Sequence, residues 1–403
     1  MARQIEGTLQ AVRGPRFTRP WAGGRLHDLR KVFGPAWLVM MADVDAASII
    51  TAMQTGASFK YEFVGILLLL IVPLYFICEV AGRVGSVTGK GLGQLIRENF
   101  SKRLAIVFSL PMAVTDFLSY VAEYAGIAVG AAILGISPLV VLPAAYLVHI
   151  ALVYRRRYAS AEKILLLVST VMVVAYLAFM RGGVPSGYSL LPSHLSRGFL
   201  FLVAANVGAV IMPFMLFYQT TATAQKEFRS VQATRLETFM GAILSEVLMV
   251  AVVMVSSTLS PTLSLTTDHE IAHAIMTIGG AFAPVIFSIG LIAAGFLALV
   301  VISMAGAWGM TEALDLKGGT WFAIYVAESL PAVIVPLVFG NLIALILGLM
   351  VALVFVLIGP VVVLGLLAQN RRLMGAHALS RFDRIAFWSS VGTVIACGLV
   401  ALL

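Results

Sequence analysis

Charge is scarce in this chain of 403 residues: Asp, Glu, Lys and Arg together make up 11% of it, against about a quarter in soluble globular domains. Histidine is scarce too, with six, and there are two cysteines, Cys78 and Cys397. Both cysteines fall inside apolar runs without metal-ligand spacing, so they read as small hydrophobes and say nothing about redox compartment. No phosphate-binding loop is present. Gly85-Ser86-Val87-Thr88-Gly89-Lys90-Gly91 has the wrong spacing and no Ser or Thr after Lys90. A secretory signal is lacking as well: the basic residues Arg3, Arg13, Arg16, Arg19, Arg25, Arg30 and Lys31 precede no apolar core with a small-residue cleavage site. The formal charge of +8 is dispersed among loops and never gathered on one face. No nucleic-acid partner is therefore expected.

Apolar residues are plentiful: 60% of the chain is hydrophobic and the mean hydropathy is +1.00. Runs long enough to cross a bilayer cover residues 34–57, 61–82, 104–135, 137–154, 163–181, 198–223, 238–260, 271–306, 320–339, 341–369 and 385–402. The expected fold class is all-α, a polytopic membrane protein of about eleven helices with the lipid bilayer as its solvent. Residues 1–33 read as a cytoplasmic tail, in preference to an Arg-rich organelle presequence, and 34–403 as one transmembrane unit. The loop charges test this count independently. With the N-terminus inside, the cytoplasmic loops hold Arg83, Lys90, Arg97, Lys102 and Arg103, then Arg155, Arg156, Arg157 and Lys163. They also hold Lys226, Arg229 and Arg235, then Lys317, then Arg371, Arg372, Arg381 and Arg384. Only Lys60, Arg181 and Arg197 remain outside. That asymmetry points to the plasma (inner) membrane with a cytoplasmic N-terminus.

Ionisable groups at bilayer depth are costly unless paired, hydrated or facing a cavity. Here they are Asp43, Asp45, Glu79, Asp116, Glu123, Glu246 and Glu328. Glu79, Glu246 and Glu328 read equally as structural acids with polar neighbours or as parts of an ion path. The first span differs, because it holds two acids near its centre in Ala42-Asp43-Val44-Asp45-Ala46-Ala47-Ser48. On a regular helix Asp43 and Asp45 point to nearly opposite sides while Asp45 and Ser48 share a face, and a break would let more of these groups converge. Acids at the midplane point to a cation path. The sixth span has its own irregularity, Asn206-Val207-Gly208-Ala209-Val210-Ile211-Met212-Pro213, where Pro213 frees carbonyls around Ala209 and Gly208 permits close approach of another backbone. An ordinary proline kink is the competing reading. Spans one and six are five apart, as inverted repeats over about 34–181 and 198–369 require, leaving 385–402 as an extra helix. Paired interrupted helices at the midplane characterise secondary transporters.

One motif points elsewhere. His269-Glu270-Ile271-Ala272-His273 matches H-E-x-x-H, in which two histidines on one helical face hold zinc and the glutamate acts as base. It lies where an external loop meets the eighth span, with no evident third ligand, and stands as the remote alternative of a membrane zinc protease. Otherwise neither enzyme activity nor a resident cofactor is expected.

Several stretches together resemble the NRAMP family of divalent metal transporters. Gly34-Pro35-Ala36-Trp37-Leu38, continuing through Asp45 to Gln54-Thr55-Gly56-Ala57, resembles its first helix, and Val87-Thr88-Gly89-Lys90 its VTGK segment. Ala122-Glu123-Tyr124-Ala125-Gly126 is similar to its AE-x-x-G, and Gly208-Ala209-Val210-Ile211-Met212-Pro213 to its GA-x-x-MP. The resemblance implies a LeuT-type 5+5 inverted repeat with broken helices one and six, and alternating access. It implies a metal-binding role for Asp45, for Met212 and for the Ala209 carbonyl, with Gly208 beside them, and places Glu123 on a proton route. The family's DPGN reads Asp45-Ala46-Ala47-Ser48 here, so an amide ligand has become the Ser48 hydroxyl. Phe214 replaces a histidine, Tyr120 an acid near Glu123, and Leu347 a helix-ten glutamine, while Asp43 is an added acid and Asp116 a further polar group on span three. These departures resemble the NRAMP-related magnesium transporters, and Mg²⁺ suits a roomy site with few carboxylates and retained waters. Met212, a soft ligand, favours Mn²⁺ or Fe²⁺. The expectation is a carrier of partly hydrated Mg²⁺, also passing Mn²⁺, without proton coupling. The alternatives are a proton-coupled Mn²⁺/Fe²⁺ transporter and, more distantly, an amino-acid or organic-cation carrier of the same fold.

Overall fold

A computed structural model describes residues 34–154, 189–190, 192, 194–226, 230–259, 268–315 and 320–402. The expected N-terminal tail and the expected fifth span, 163–181, lie outside these residues. Among the described residues the chain forms α1 (Pro35–Ala42), α2 (Ala46–Phe59), α3 (Val64–Thr88), α4 (Leu92–Asn99), α5 (Lys102–Ile133), α6 (Pro138–Tyr154) and α7 (Arg197–Val210). It continues with α8 (Pro213–Ala224), α9 (Val231–Ser257), α10 (Asp268–Gly279), α11 (Ala283–Leu314), α12 (Thr320–Val338), α13 (Leu342–Gln369) and α14 (Arg381–Val400). Short polar residues set many of the starts, each accepting a bond from an orphan N–H in the first turn. Ser196 caps α7 through Phe199 N at 3.2 Å, Ser230 caps α9 through Ala233 N at 3.3 Å, and Asn341 caps α13 through Ala344 N at 3.0 Å.

Eight segments of the described chain are long and apolar enough to cross a membrane. The expected boundaries shift in two places. The run 271–306 is not one span: α10 ends at Gly280, whose φ of +81° suits a residue without Cβ, and α11 begins afresh with a proline in its first turn. Arg83, expected in a loop, lies inside α3, because that helix continues to Thr88 and stops only at Gly89, with φ +64°.

Polar and apolar surfaces are inverted relative to a soluble protein. Leu69, Leu139, Val140, Leu147, Val338 and Phe382 are exposed, whereas Asp43, Asp45, Asp116, Glu123 and Glu246 are buried. That is the arrangement hydrocarbon as solvent selects. Helices α5 and α11 pack antiparallel over most of their length, Met112 meeting Gly309 at one end and Gly130 meeting Ser288 towards the other. Against this pair lie the two interrupted segments, α1/α2 and α7/α8, flanked by α3, α9 and α13. Close approach is built in at Gly208, where a Cβ would collide with the backbone carbonyl of Met350 on α13.

Glu79, whose role the sequence left open, is an ion-pair hub. Arg83 donates from Nε to Glu79 Oε1 at 3.0 Å and from Nη2 to Oε2 at 2.6 Å, while its Nη1 reaches Asp383 Oδ2 at 2.9 Å. Arg235 on α9 donates to the same Glu79 at 2.7 Å. The cluster joins α3, α9 and α14. Arg83 and Glu79 are almost fully buried, so removing the acid leaves the buried guanidinium with Asp383 alone. Glu79→Ala is expected to lower unfolding stability by about 3–5 kcal/mol, the cost of breaking a buried pair. Thermal and denaturant unfolding of the detergent-solubilised chain would measure it.

Candidate functional site

Both expected interruptions exist, and they meet. Helix α1 stops at Ala42, with Asp43 as its C-terminal cap. After Val44 the chain turns extended at Asp45, with φ −91° and ψ 178°, before α2 begins. Asp45 Oδ1 accepts the Ser48 N–H at 2.7 Å, an N-cap made by a carboxylate. In the second interruption α7 ends at Val210, Ile211 leaves the helical conformation, Met212 is extended, and Pro213 opens α8. Pro213 is tolerated there because the first turn of a helix has no use for its missing N–H. Ser48 Oγ donates to the Ala209 carbonyl at 3.1 Å, joining the two breaks directly. Farther along, Asn206 Nδ2 donates to Thr55 Oγ1 at 2.8 Å, so the two segments are tied at two levels.

Glu123 comes to the same place from α5. Its Oε2 accepts the N–H of Ala46 at 3.1 Å, and its carboxyl is an electrostatic neighbour of Asp45, whose Oδ2 has no hydrogen-bond partner. Gly126 allows this, since a Cβ there would strike the Ala46 methyl. The start of α2 is thus held by two carboxyl groups, while the end of α7 presents carbonyls, the negative pole of its dipole. Asp45, Ser48, Glu123, Met212 and Ala209 are all buried. Neighbouring carboxylates in hydrocarbon require a counter-charge, and carbonyl, hydroxyl and thioether groups beside them can complete a cation's shell.

The remaining sequence candidates fall into two groups. Gly208 does not face the opening between the breaks in the manner of a ligand, being pressed against Met350 of α13, and Leu347 lies three residues before that contact, buried. Phe214 is fully buried in the first turn of α8. Tyr120 and Asp116 share the α5 face with Glu123, one and two turns away. Tyr120 Oη donates to Ser303 Oγ at 3.0 Å, whereas Asp116 packs on Gly306 with neither oxygen hydrogen-bonded. Asp43 is buried beside Asp45 and Glu246.

Sequence reasoning missed His149. Its Nε2 lies 2.7 Å from Ser303 Oγ and its Nδ1 2.8 Å from Tyr124 Oη, linking α6, α11 and α5. A single histidine in an apolar run carries no spacing signal, and its partners are 154 and 25 residues away. The H-E-x-x-H motif opens α10, with His273 exposed. Among the described residues no three His, Cys, Asp or Glu side chains gather as a metal site. An ion at the breaks would therefore need neutral oxygen or sulfur donors besides Asp45.

Two interrupted segments, α1/α2 and α7/α8, that meet at a buried acid are the layout of the LeuT class of fold. Residues 36–403 match the family model described as natural resistance-associated macrophage protein-like, and the chain belongs to this Nramp family. Among curated relatives, the divalent metal cation transporter MntH of Klebsiella pneumoniae is 26% identical over 381 residues, covering 90% of this chain and 92% of its own. MntH of Bradyrhizobium diazoefficiens is 22% identical over 410 residues, covering 95% and 91%. The crystal structure of the Eremococcus coleocola manganese transporter superposes with a TM-score of 0.80 at 18% identity, covering 96% of this chain and 89% of that one. The structure of MhsT in complex with L-phenylalanine does so with a TM-score of 0.57 at 13% identity, covering 88% and 97%. These two likenesses establish the shared fold.

Ser48→Ala removes the side-chain hydrogen bond to the Ala209 carbonyl. It is expected to cost about 1–3 kcal/mol, the penalty for an unsatisfied buried acceptor, read as lowered thermal stability of the purified chain.

Proposed function

We propose that this chain is an alternating-access carrier for divalent metal ions, with Mn²⁺ the best-supported ion. The observation that carries this reading is the meeting of Asp45 and the Ala209 carbonyl at two helix interruptions joined through Ser48. It supplies a buried negative charge and neutral oxygens where hydrocarbon would otherwise forbid both. Relatives named as divalent metal cation transporters, and a structural neighbour named as a manganese transporter, support the same class. Met212 adds a soft donor in the second interruption, which favours Mn²⁺ or Fe²⁺ over Mg²⁺. The protein sits in the plasma (inner) membrane with its N-terminus cytoplasmic, on the asymmetry of its loop charges.

Proton coupling belongs to this reading, in place of the uncoupled transport expected from the lost histidine and acid. Glu123 supports it, because its carboxyl shares the start of α2 with Asp45. With a proton leaving the pair as a divalent ion arrives at Asp45, the buried charge changes by one unit instead of two. Mg²⁺ is a second reading, favoured by Ser48, whose small hydroxyl leaves room for a partly hydrated ion.

Uptake of Mn²⁺ and Mg²⁺ into proteoliposomes separates the two ions. Saturable Mn²⁺ uptake is expected, and Asp45→Ala should reduce it by about a hundredfold, the scale of losing one partner of a buried charge pair. A chain that moves Mg²⁺ and excludes Mn²⁺ would overturn the choice of ion. With a pH dye inside the vesicles, Mn²⁺ uptake is expected to acidify the lumen, and Glu123→Gln to abolish that acidification. Mn²⁺ uptake at constant internal pH would overturn coupling.

A further inference from the structure

Glu246 is a buried acid that the carrier reading does not use. It is fully buried on α9, and neither of its carboxyl oxygens has a hydrogen-bond partner. Its treatment differs from that of the other acids on this side of the protein. Glu79 is held by two arginines, and Glu237, also on α9, by Lys226 at 2.7 Å. A carboxyl group sequestered among apolar helices without a bond is costly, and in membrane proteins such groups mark ion pathways.

The packing register shows what Glu246 faces. Helix α9 runs parallel to the interrupted first segment. Gly34 lies against Glu237, Gly241 against Met40, and Gly56 against Val253 and Ser256, each with no room for a Cβ. These contacts bracket the break between α1 and α2, so Glu246, between Gly241 and Val253, stands level with residues 43–45. The facing acid is Asp43, 2% exposed, whose Oδ1 also lacks a hydrogen-bond partner. Asp43 has both Glu246 and Asp45 as electrostatic neighbours. Two unbonded carboxyl groups, contributed by different helices, thus flank the α1 side of the break, while Asp45 and Glu123 hold its α2 side.

We propose that Asp43 and Glu246 form a second divalent-cation station, occupied by the ion in passage between Asp45 and the aqueous compartment at the α1 end. This rests on the carrier reading and deepens it. Two carboxylates suit an ion that keeps several waters, as Mn²⁺ and Mg²⁺ do. Two separate stations also let the ion leave Asp45 without exchanging its whole shell for water in one step. Because the stations lie side by side, they are used in turn.

Mn²⁺ binding to the purified full-length chain, followed by loss of the free-ion electron paramagnetic resonance signal, tests this. Asp45→Ala is expected to retain one Mn²⁺ per chain, at an affinity about tenfold or more below the unaltered protein. Adding Glu246→Gln to Asp45→Ala, or separately adding Asp43→Asn, is expected to weaken that remaining site by about tenfold again, or about 1.4 kcal/mol. Both additions are near-isosteric. Should one of the double variants fail to give a monodisperse protein, the other reads the same site. If Asp45→Ala binds no Mn²⁺ while the unaltered chain does, or if the residual site ignores both additions, the station is overturned and the carrier reading stands. If the unaltered chain neither binds nor moves Mn²⁺ or Mg²⁺, the carrier reading fails and the station with it.

Discussion

In hydrocarbon an interrupted helix leaves N–H and C=O groups with nothing to bond except the protein itself. Two such interruptions in one chain are tolerable only if each satisfies the other, and the bond from Ser48 to the Ala209 carbonyl does that across 161 residues of sequence. The carboxyl groups of Asp45 and Glu123 take up the first N–H groups of α2. Much else follows from holding these breaks together. Gly126 lets α5 approach α2, Gly208 lets α13 approach α7, and Asn206 with Thr55 keeps the two segments in register.

The buried acids divide by whether a cation of the protein answers them. Glu79 and Glu237 are answered by arginine and lysine, and they lie where helices α3, α9 and α14, or α9 and the turn after α8, must be tied. Asp43, Asp116 and Glu246 have oxygens with no such partner. The second set is left without a counter-charge from the protein, which is the condition under which a mobile cation could answer it. The distinction is one of partners, since burial is similar in both sets.

Membership of the Nramp family and the departures from its pattern fit together physically. The interruptions, the acid at the start of α2 and the methionine at the start of α8 are retained, which keeps the place that the proposed function gives to the ion. Ser48 in place of an amide shortens one arm of that place, yet the hydroxyl acquires a structural task in bonding Ala209. Tyr120, standing where the family has an acid, is absorbed into a neutral chain of hydroxyl and imidazole groups with Ser303, His149 and Tyr124. The polar face of α5 therefore persists with less charge on it.

The sequence by itself determined the solvent of this protein, the all-helical class, and the positions of both interruptions. Those properties are local: transfer of apolar side chains sums along a run, and Pro213 or an acid pair such as Asp43 and Asp45 disturbs its own turn. Span limits were less legible, because Gly280 and Gly89 end helices through backbone conformation while apolar composition continues smoothly past them. Only the tertiary structure decided which acids are bonded. Glu79 is answered by Arg235 from 156 positions away, Ala46 by Glu123 from 77, and Glu246 by no side chain at all. Hydrogen bonds and ion pairs act over a few ångströms in space, and nothing in the order of residues records which distant helix will supply the partner.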